Sequence, residues 1–238
     1  MSAAHRTTSG GAYGVPLMKF TLIYDGDLPS AGNGHSRTKE KWQIRKALDP
    51  QLRELWQESE ILRFAEKYRL VPTATSYFRL ETHHSVADAP PDKQFAGPDM
   101  PRHPERLDLC APVTRGGRTF LPLVRETFGL RCALKIKFLR KEEPGKLIQQ
   151  GDIDNRLKTL FDALSVPEHP EQVDANDTSI TDPIYCVVES DSLITGVDIE
   201  TQKLLSHPNA SKNEVRLVID VDVRVAHTRN YSMVFLGD

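Results

Sequence analysis

Long apolar segments and paired cysteines are both missing from this chain of 238 residues. No run of about 18 apolar residues occurs, so we expect no membrane-spanning helix. The first twenty residues also lack the apolar core of a secretory signal. The cysteines Cys110, Cys132 and Cys186 stand far apart, without a CxxC pair or histidines at ligand spacing. These absences argue against disulfides and a structural zinc site, and they predict a cytoplasmic location.

An excess of positive charge is missing as well, because the formal net charge is −2 at pH 7. This counts against a general nucleic-acid coat protein. It does not exclude a nuclease, since an acidic metal site offsets a basic binding face. Hydrophobic residues make up 39% and charged residues 27% of the chain, as in an ordinary globular protein with one good core.

The most informative stretch is 151–164, which reads GDIDNRLKTLFDAL. Its apolar residues recur at the spacing of one buried helix face, and they are Leu157, Leu160, Phe161 and Leu164. Asp154 or Asn155 is a suitable N-cap, because a short side-chain acceptor satisfies amide groups that have no helical partner. The pattern predicts a helix that is anchored in the core and carries carboxylates at its start.

The polar face of this helix has a structural and a chemical interpretation. Asp154, Lys158 and Asp162 are one turn apart and could form a surface ion-pair ladder, worth about a few tenths of a kcal/mol per pair. Asp152 adds a second carboxylate before the helix, and close carboxylates repel each other unless a cation lies between them. Carboxylate oxygens of this kind suit Mg²⁺ or Mn²⁺.

An EF-hand calcium loop starting at Asp152 does not explain the stretch. The fifth position is Arg156, the sixth is Leu157 instead of glycine, and the twelfth is Ala163 instead of glutamate. The carboxylates therefore need another explanation.

The pattern Asp-x-Asp-Asn-x-x-Lys-x-x-x-Asp-Ala-Leu, from Asp152 to Leu164, resembles the signature of the RusA-type Holliday-junction resolvases. These are small, dimeric, Mg²⁺-dependent endonucleases of bacteria and their phages, with functions in DNA recombination and repair. The resemblance implies that Asp152 and Asp154 bind metal and that Lys158 is the catalytic lysine. A third metal-binding aspartate is expected in the stretch 189–194, where Asp191 is the first candidate and Glu189 the second.

The resemblance implies a Mg²⁺-dependent endodeoxyribonuclease, with Mn²⁺ as a possible substitute, that cleaves branched DNA as a homodimer. Asp152, Asp154 and Asp191 would hold the metal, and Lys158 would lie against the scissile phosphate or the attacking water. We expect Asp162 to anchor Lys158. We expect Asn155 to cap the helix or to orient a carboxylate.

Two other functions stay open at this point. One is a nuclease that acts on another DNA structure, such as a flap, a hairpin or a duplex. The other is a non-catalytic DNA-binding protein on the same fold. Metal-dependent cleavage separates the binding protein from either enzyme.

The candidate DNA surface consists of two groups of basic residues, which would contact phosphates and set affinity instead of base choice. One group starts the first helical region and contains Arg37, Lys39, Lys41, Arg45 and Lys46. The other lies on the outer face of a predicted strand and contains Arg131, Lys135 and Lys137.

The order of strands and helices predicts an α+β fold, with a mixed β-sheet covered by helices, as in the RusA-type enzymes. We expect a disordered tail over 1–17 and a single nuclease domain over 18–238, with a long irregular insertion at about 71–118. The predicted helices are 38–68, interrupted at Asp49-Pro50, a short one at 120–128, and 151–164. The predicted strands are 19–24, 130–138, 184–188, 193–201 and 214–225.

Overall fold

A computed structural model describes residues 14–29, 37–72, 78–82, 108–141, 152–205 and 213–226. For Val15, 68–72, 78–82 and Asp152 it describes the backbone alone. The helices are α1 (Thr38–Glu58), α2 (Glu60–Lys67) and α3 (Asp152–Leu164). The strands are β1 (Val15–Asp27), β2 (Tyr68–Pro72), β3 (Phe78–Thr82), β4 (Val113–Arg115), β5 (Arg118–Val124), β6 (Leu130–Arg140), β7 (Ile184–Val188), β8 (Ile194–Lys203) and β9 (Glu214–Val225).

The main sheet has four strands in the order β1-β9-β6-β8. β9 is antiparallel to both of its neighbours, whereas β6 and β8 are parallel. Alternating residues of these strands form the core face, as in the row Leu22, Ile219 and Ile136. The alternation in the sequence therefore predicted β1, β6 and β9 correctly, and the structure confirms an α+β fold.

A second sheet of three strands, in the order β4-β5-β7, forms the other part of the core. The prediction of a helix at 120–128 is wrong, because Arg118–Val124 is a strand parallel to β7. Every residue from Phe120 to Val124 is buried. A short apolar run of this kind is typical of a strand covered on both faces, and its periodicity alone does not distinguish it from a buried helix.

Helix α1 continues through Pro50, so the predicted interruption at Asp49-Pro50 is also wrong. Proline removes one hydrogen bond, here to the carbonyl of Lys46. The buried side chains of Leu48 and Leu52 pack against the core on both sides of it and stabilise the helix there. The helix ends instead at Glu58. The next residue, Ser59, has an extended conformation, and its Oγ accepts a hydrogen bond from the N–H of Leu62 in α2.

Two further boundaries differ from the prediction. β1 begins at Val15, so the last residues of the predicted tail belong to the sheet. The described parts of the predicted insertion contain strands, namely the hairpin β2–β3 and β4. The rest of the tail and of the insertion lies outside the described residues.

Gln51 of α1 satisfies the open edge of β1. Its side-chain oxygen accepts a hydrogen bond from the N–H of Ile23 at 2.9 Å, and its Nε2 donates to the carbonyl of the same residue at 2.7 Å. An edge strand otherwise presents unpaired backbone groups on which another chain can pair. The amide of Gln51 therefore closes this edge at the point where α1 crosses it.

We expect Gln51→Ala to lower the free energy of unfolding by about 1–2 kcal/mol, because two backbone groups of β1 lose their partner. Urea unfolding followed by circular dichroism measures the change. Gln57→Ala is the matched control, since Gln57 is an exposed glutamine of the same helix. Equal effects of the two substitutions would contradict the edge-closing function of Gln51.

Candidate functional site

Helix α3 is present over the whole motif and begins at Asp152. Asp154 and Asn155 therefore lie in its first turn, and the prediction that one of them is the N-cap is wrong. The side chain of Asn155 is exposed, and the backbone carbonyl of Asn155 accepts a hydrogen bond from Oγ1 of Thr159. The apolar face packs into the core as predicted, through Leu157, Leu160 and Leu164. Asp152 is the first helical residue, and its side chain lies outside the described part.

The ion-pair ladder, which was the structural interpretation of this face, does not form in the described part of the chain. Asp154 and Lys158 are exposed, and within the described ranges neither side chain has a hydrogen bond or an ion pair. The expectation that Asp162 anchors Lys158 is wrong. Oδ2 of Asp162 instead pairs with Nζ of Lys41 in α1, at 2.7 Å. Two opposite charges one turn apart on α3 thus stay available to a ligand.

Arg45 holds the carboxyl end of α3. Its Nη2 donates to the carbonyls of Asp162 and Ser165, at 2.5 and 3.2 Å. Only 1% of the residue is exposed, so its predicted contact with DNA is wrong. Burial lowers the pKa of its guanidinium. A cation at the carboxyl end of a helix is favourable because the last carbonyls lack helical partners.

Most of the other basic residues at the start of α1 also bind acidic partners. Arg37 lies 3.3 Å from Glu40, and Lys46 lies 3.0 Å from Asp177. Lys39 is exposed. Among the predicted phosphate contacts of this group, Lys39 is therefore the residue that is exposed and has no described ion pair.

The outer face of the main sheet carries mixed charge instead of a basic surface. Lys135 stands in register with Asp220 of β9 and Asp198 of β8, and Lys137 with Glu200. Arg131 pairs with Glu126 at 3.2 Å. Acidic neighbours reduce the attraction of these three cations for phosphate.

The segment after β7 lies next to α3. Ser165 and Val188 form a parallel bridge, and α3 contacts the short turn Asp191–Leu193. Asp191 is exposed at the start of this turn. Glu189 is partly buried; its N–H bonds to the carbonyl of Val124 at 2.9 Å, and its carboxylate accepts a long hydrogen bond from the N–H of Glu126, at 3.4 Å. The described contacts thus join the turn to α3, with the bridge at the carboxyl end of the helix, and the exposed Asp191 is the freer of the two candidate carboxylates.

Among the side chains that the structure describes, no three histidine, cysteine or acidic residues lie close enough to share a metal ion. Asp152 is not one of those side chains. Two of the predicted ligands, Asp154 and Asp191, are exposed carboxylates, and carboxylate oxygens are the ligand type that Mg²⁺ prefers.

Sequence reasoning missed a network of hydrogen bonds and ion pairs that fixes the loop between α3 and β7. Asp177 accepts hydrogen bonds from Trp42 and Ser179 and pairs with Lys46. Asp182 accepts from Arg118 at 2.6 Å and from Thr119. Each carboxylate has partners 63 or more positions away in the chain. The only signal in the sequence was the high density of acidic residues in this loop. That density indicates a turn-rich segment, but it does not predict which residues the acids bind.

Comparison of the chain with protein-family models, curated proteins and solved structures finds no match in any of the three. None of the helices in the described ranges has both the length and the apolar character that crossing a membrane requires.

We expect Asp154→Asn to change the free energy of unfolding by less than about 0.5 kcal/mol, because the carboxylate is exposed and has no described partner. Asp49→Asn is the matched comparison. Asp49 is 4% exposed and accepts from the N–H of Tyr185 and from Arg53. We expect this substitution to cost about 1.5–3 kcal/mol. Denaturant unfolding of both variants tests the contrast, and a large loss in Asp154→Asn would show that Asp154 is structural.

Asp177 predicts a pH dependence of stability. Hydrogen bonds from Ser179, followed by those from Trp42 and Lys46, hold the pKa of Asp177 well below its ordinary value. Because the folded pKa is lowered, the stabilisation is complete above the ordinary value of about 3.9 and is lost as the pH falls below it. The difference in unfolding free energy between the native chain and Asp177→Asn should be constant down to about pH 5 and shrink below about pH 4.

Unfolding curves at several pH values, followed by Trp fluorescence, measure that difference. Glu171→Gln, which removes an exposed carboxylate from the same loop, is the control and should give a small difference at every pH. A difference for Asp177→Asn that grows towards low pH would contradict the sign of the shift.

Proposed function

We propose that the chain is a Mg²⁺-dependent endodeoxyribonuclease that cleaves branched DNA such as a four-way junction. The observation that carries the proposal is the exposed pair Asp154 and Lys158, one turn apart on α3 and without an ion pair in the described part of the chain. The charged residues of α1 that touch α3 are paired or buried. Both charged groups are accessible to a ligand, and they stand in the motif that resembles the RusA-type signature.

The metal would be held by Asp152, Asp154 and Asp191, because these are hard oxygen donors on two segments that contact each other. When bound there, Mg²⁺ supplies a water of lowered pKa and relieves the negative charge of the phosphate. Glu189 is less suited as a ligand, since it is partly buried and its carboxylate faces the N–H of Glu126.

Lys158 would contact a non-bridging oxygen of the scissile phosphate. An ammonium group placed there stabilises the charge that develops in the transition state. Because α3 is fixed at its apolar face and at its carboxyl end, Lys158 sits on a rigid element. Rigid placement reduces the reorganisation that is needed when the substrate binds.

Paired cuts in opposite strands of a junction require two sites related by a two-fold axis. We therefore propose a homodimer as the active form. The other candidate substrates are a flap, a hairpin and a linear duplex, and they share the same metal-site chemistry.

The test is cleavage of labelled four-way junction, flap and linear duplex DNA by the full chain with Mg²⁺. We expect symmetric cuts in the junction. Asp154→Asn and Lys158→Met should each lower the cleavage rate by at least about a hundredfold, because each removes a group that stabilises the transition state.

Glu54→Gln is the control, since it removes an exposed carboxylate of α1 outside the proposed site, and its cleavage rate should be unchanged. Preferential cutting of flap or duplex would support the proposed metal site but show that the substrate is not a four-way junction. Junction binding without cleavage, with Mn²⁺ as well as Mg²⁺, would overturn the enzymatic proposal in favour of a DNA-binding protein.

A further inference from the structure

We propose that Lys41 is a positioning residue that keeps Asp162 from pairing with Lys158, so that the Lys158 ammonium stays available to a phosphate. The use of Lys158 by a phosphate rests on the proposed function. The competition between Lys41 and Lys158 for Asp162 is inferred from the observed ion pair of Lys41 with Asp162 and does not depend on the proposed function.

The argument starts from helix geometry. Lys158 and Asp162 are four positions apart on α3, a spacing at which side chains of a helix are neighbours and opposite charges attract. The described structure nevertheless contains no ion pair between them. The carboxylate of Asp162 is instead bound by Nζ of Lys41 at 2.7 Å. An acceptor that lies within reach of Lys158 is thus held by a different helix.

Burial strengthens the competition. The side chain of Asp162 is 25% exposed and that of Lys41 only 12% exposed, so their pair is partly withdrawn from water. Without Lys41, the partly desolvated carboxylate of Asp162 would lose its ion pair and keep only the electrostatic attraction of Arg45. Such a carboxylate gains more from a new cation than a fully exposed one does. Lys158 is the exposed cation one turn away on the same helix.

Arg45 is the competing cation. Its Nη2 is bound to the carbonyls of Asp162 and Ser165, whereas its Nε and Nη1 are buried without a hydrogen-bond partner. If these nitrogens turned to the carboxylate of Asp162, the loss of Lys41 would leave Lys158 unchanged. We expect Lys158 to prevail because Arg45 is already fixed by two carbonyls in a closely packed site.

The test measures the rate at which Lys158 is acetylated by an activated ester in the native full-length chain, read by peptide mass spectrometry. Lys137, exposed on the main sheet, is the internal reference in the same sample. In Lys41→Met we expect Lys158 to react about two to four times more slowly relative to Lys137, since an ion pair with Asp162 favours the charged ammonium over the neutral amine that reacts.

The double variant Lys41→Met/Asp162→Asn should restore the original acetylation rate, because the competing carboxylate is gone. Lys41→Arg should also retain it, because an arginine can hold Asp162. Lys46→Met is the matched control, since it removes an α1 lysine paired with Asp177 and does not involve α3. An unchanged Lys158 rate in Lys41→Met, or a slowed rate that Asp162→Asn does not restore, would overturn the proposal.

Cleavage of the preferred DNA substrate supplies the second readout. We expect Lys41→Met to reduce the cleavage rate by about two- to fourfold, in proportion to the fraction of Lys158 that pairs with Asp162, and the double variant to recover it. If the chain does not cleave DNA, the proposed function fails, and the acetylation rates still decide whether Lys41 keeps Asp162 from Lys158.

Discussion

The inner polar face of α1 is the constraint on which the rest of the structure depends. Arg45 binds the last carbonyls of α3, and Asp49 with Arg53 binds the start of β7. The loop between α3 and β7 is therefore fixed at both ends by one helix. Because Arg45 and Asp49 are nearly fully buried, these polar contacts are shielded from water and strong. The same helix also closes the edge of β1 through Gln51.

This arrangement separates charges that support the fold from charges that stay free. Lys41, Arg45 and Lys46 would suit a phosphate-binding surface by residue type, yet each is bound to α3 or to the loop that follows it. Lys158 is a lysine too, yet it and the nearby carboxylate of Asp154 are exposed and have no described partner. The difference does not lie in their chemistry but in whether a partner from another element reaches them. This contrast is the reason for placing the proposed nuclease site on α3.

Sequence reasoning was most accurate where one face of an element is apolar. The spacing of Leu157, Leu160 and Leu164 predicted α3, and the alternation from Val215 to Val225 predicted β9. Sequence reasoning failed where both faces of a strand are buried, or where a side chain binds a partner that is distant in the chain. The run from Phe120 to Val124 has no alternation, so its periodicity did not identify a strand. The helix α1 continues through Pro50 because of packing and hydrogen bonds that the local sequence does not contain.

The sequence by itself determined the elements with a regular apolar pattern, the α+β order of those elements, and the motif that groups Asp152, Asp154 and Lys158 on one helix. Local spacing is sufficient to predict these features. The repeat of 3.6 residues in a helix and of 2.0 residues in a strand decides which side chains share a face. Only the tertiary structure decided that Asp162 binds Lys41 and that Arg45 is buried. These contacts depend on distance in space, and Asp162 is more than a hundred positions away from both Lys41 and Arg45 in the chain.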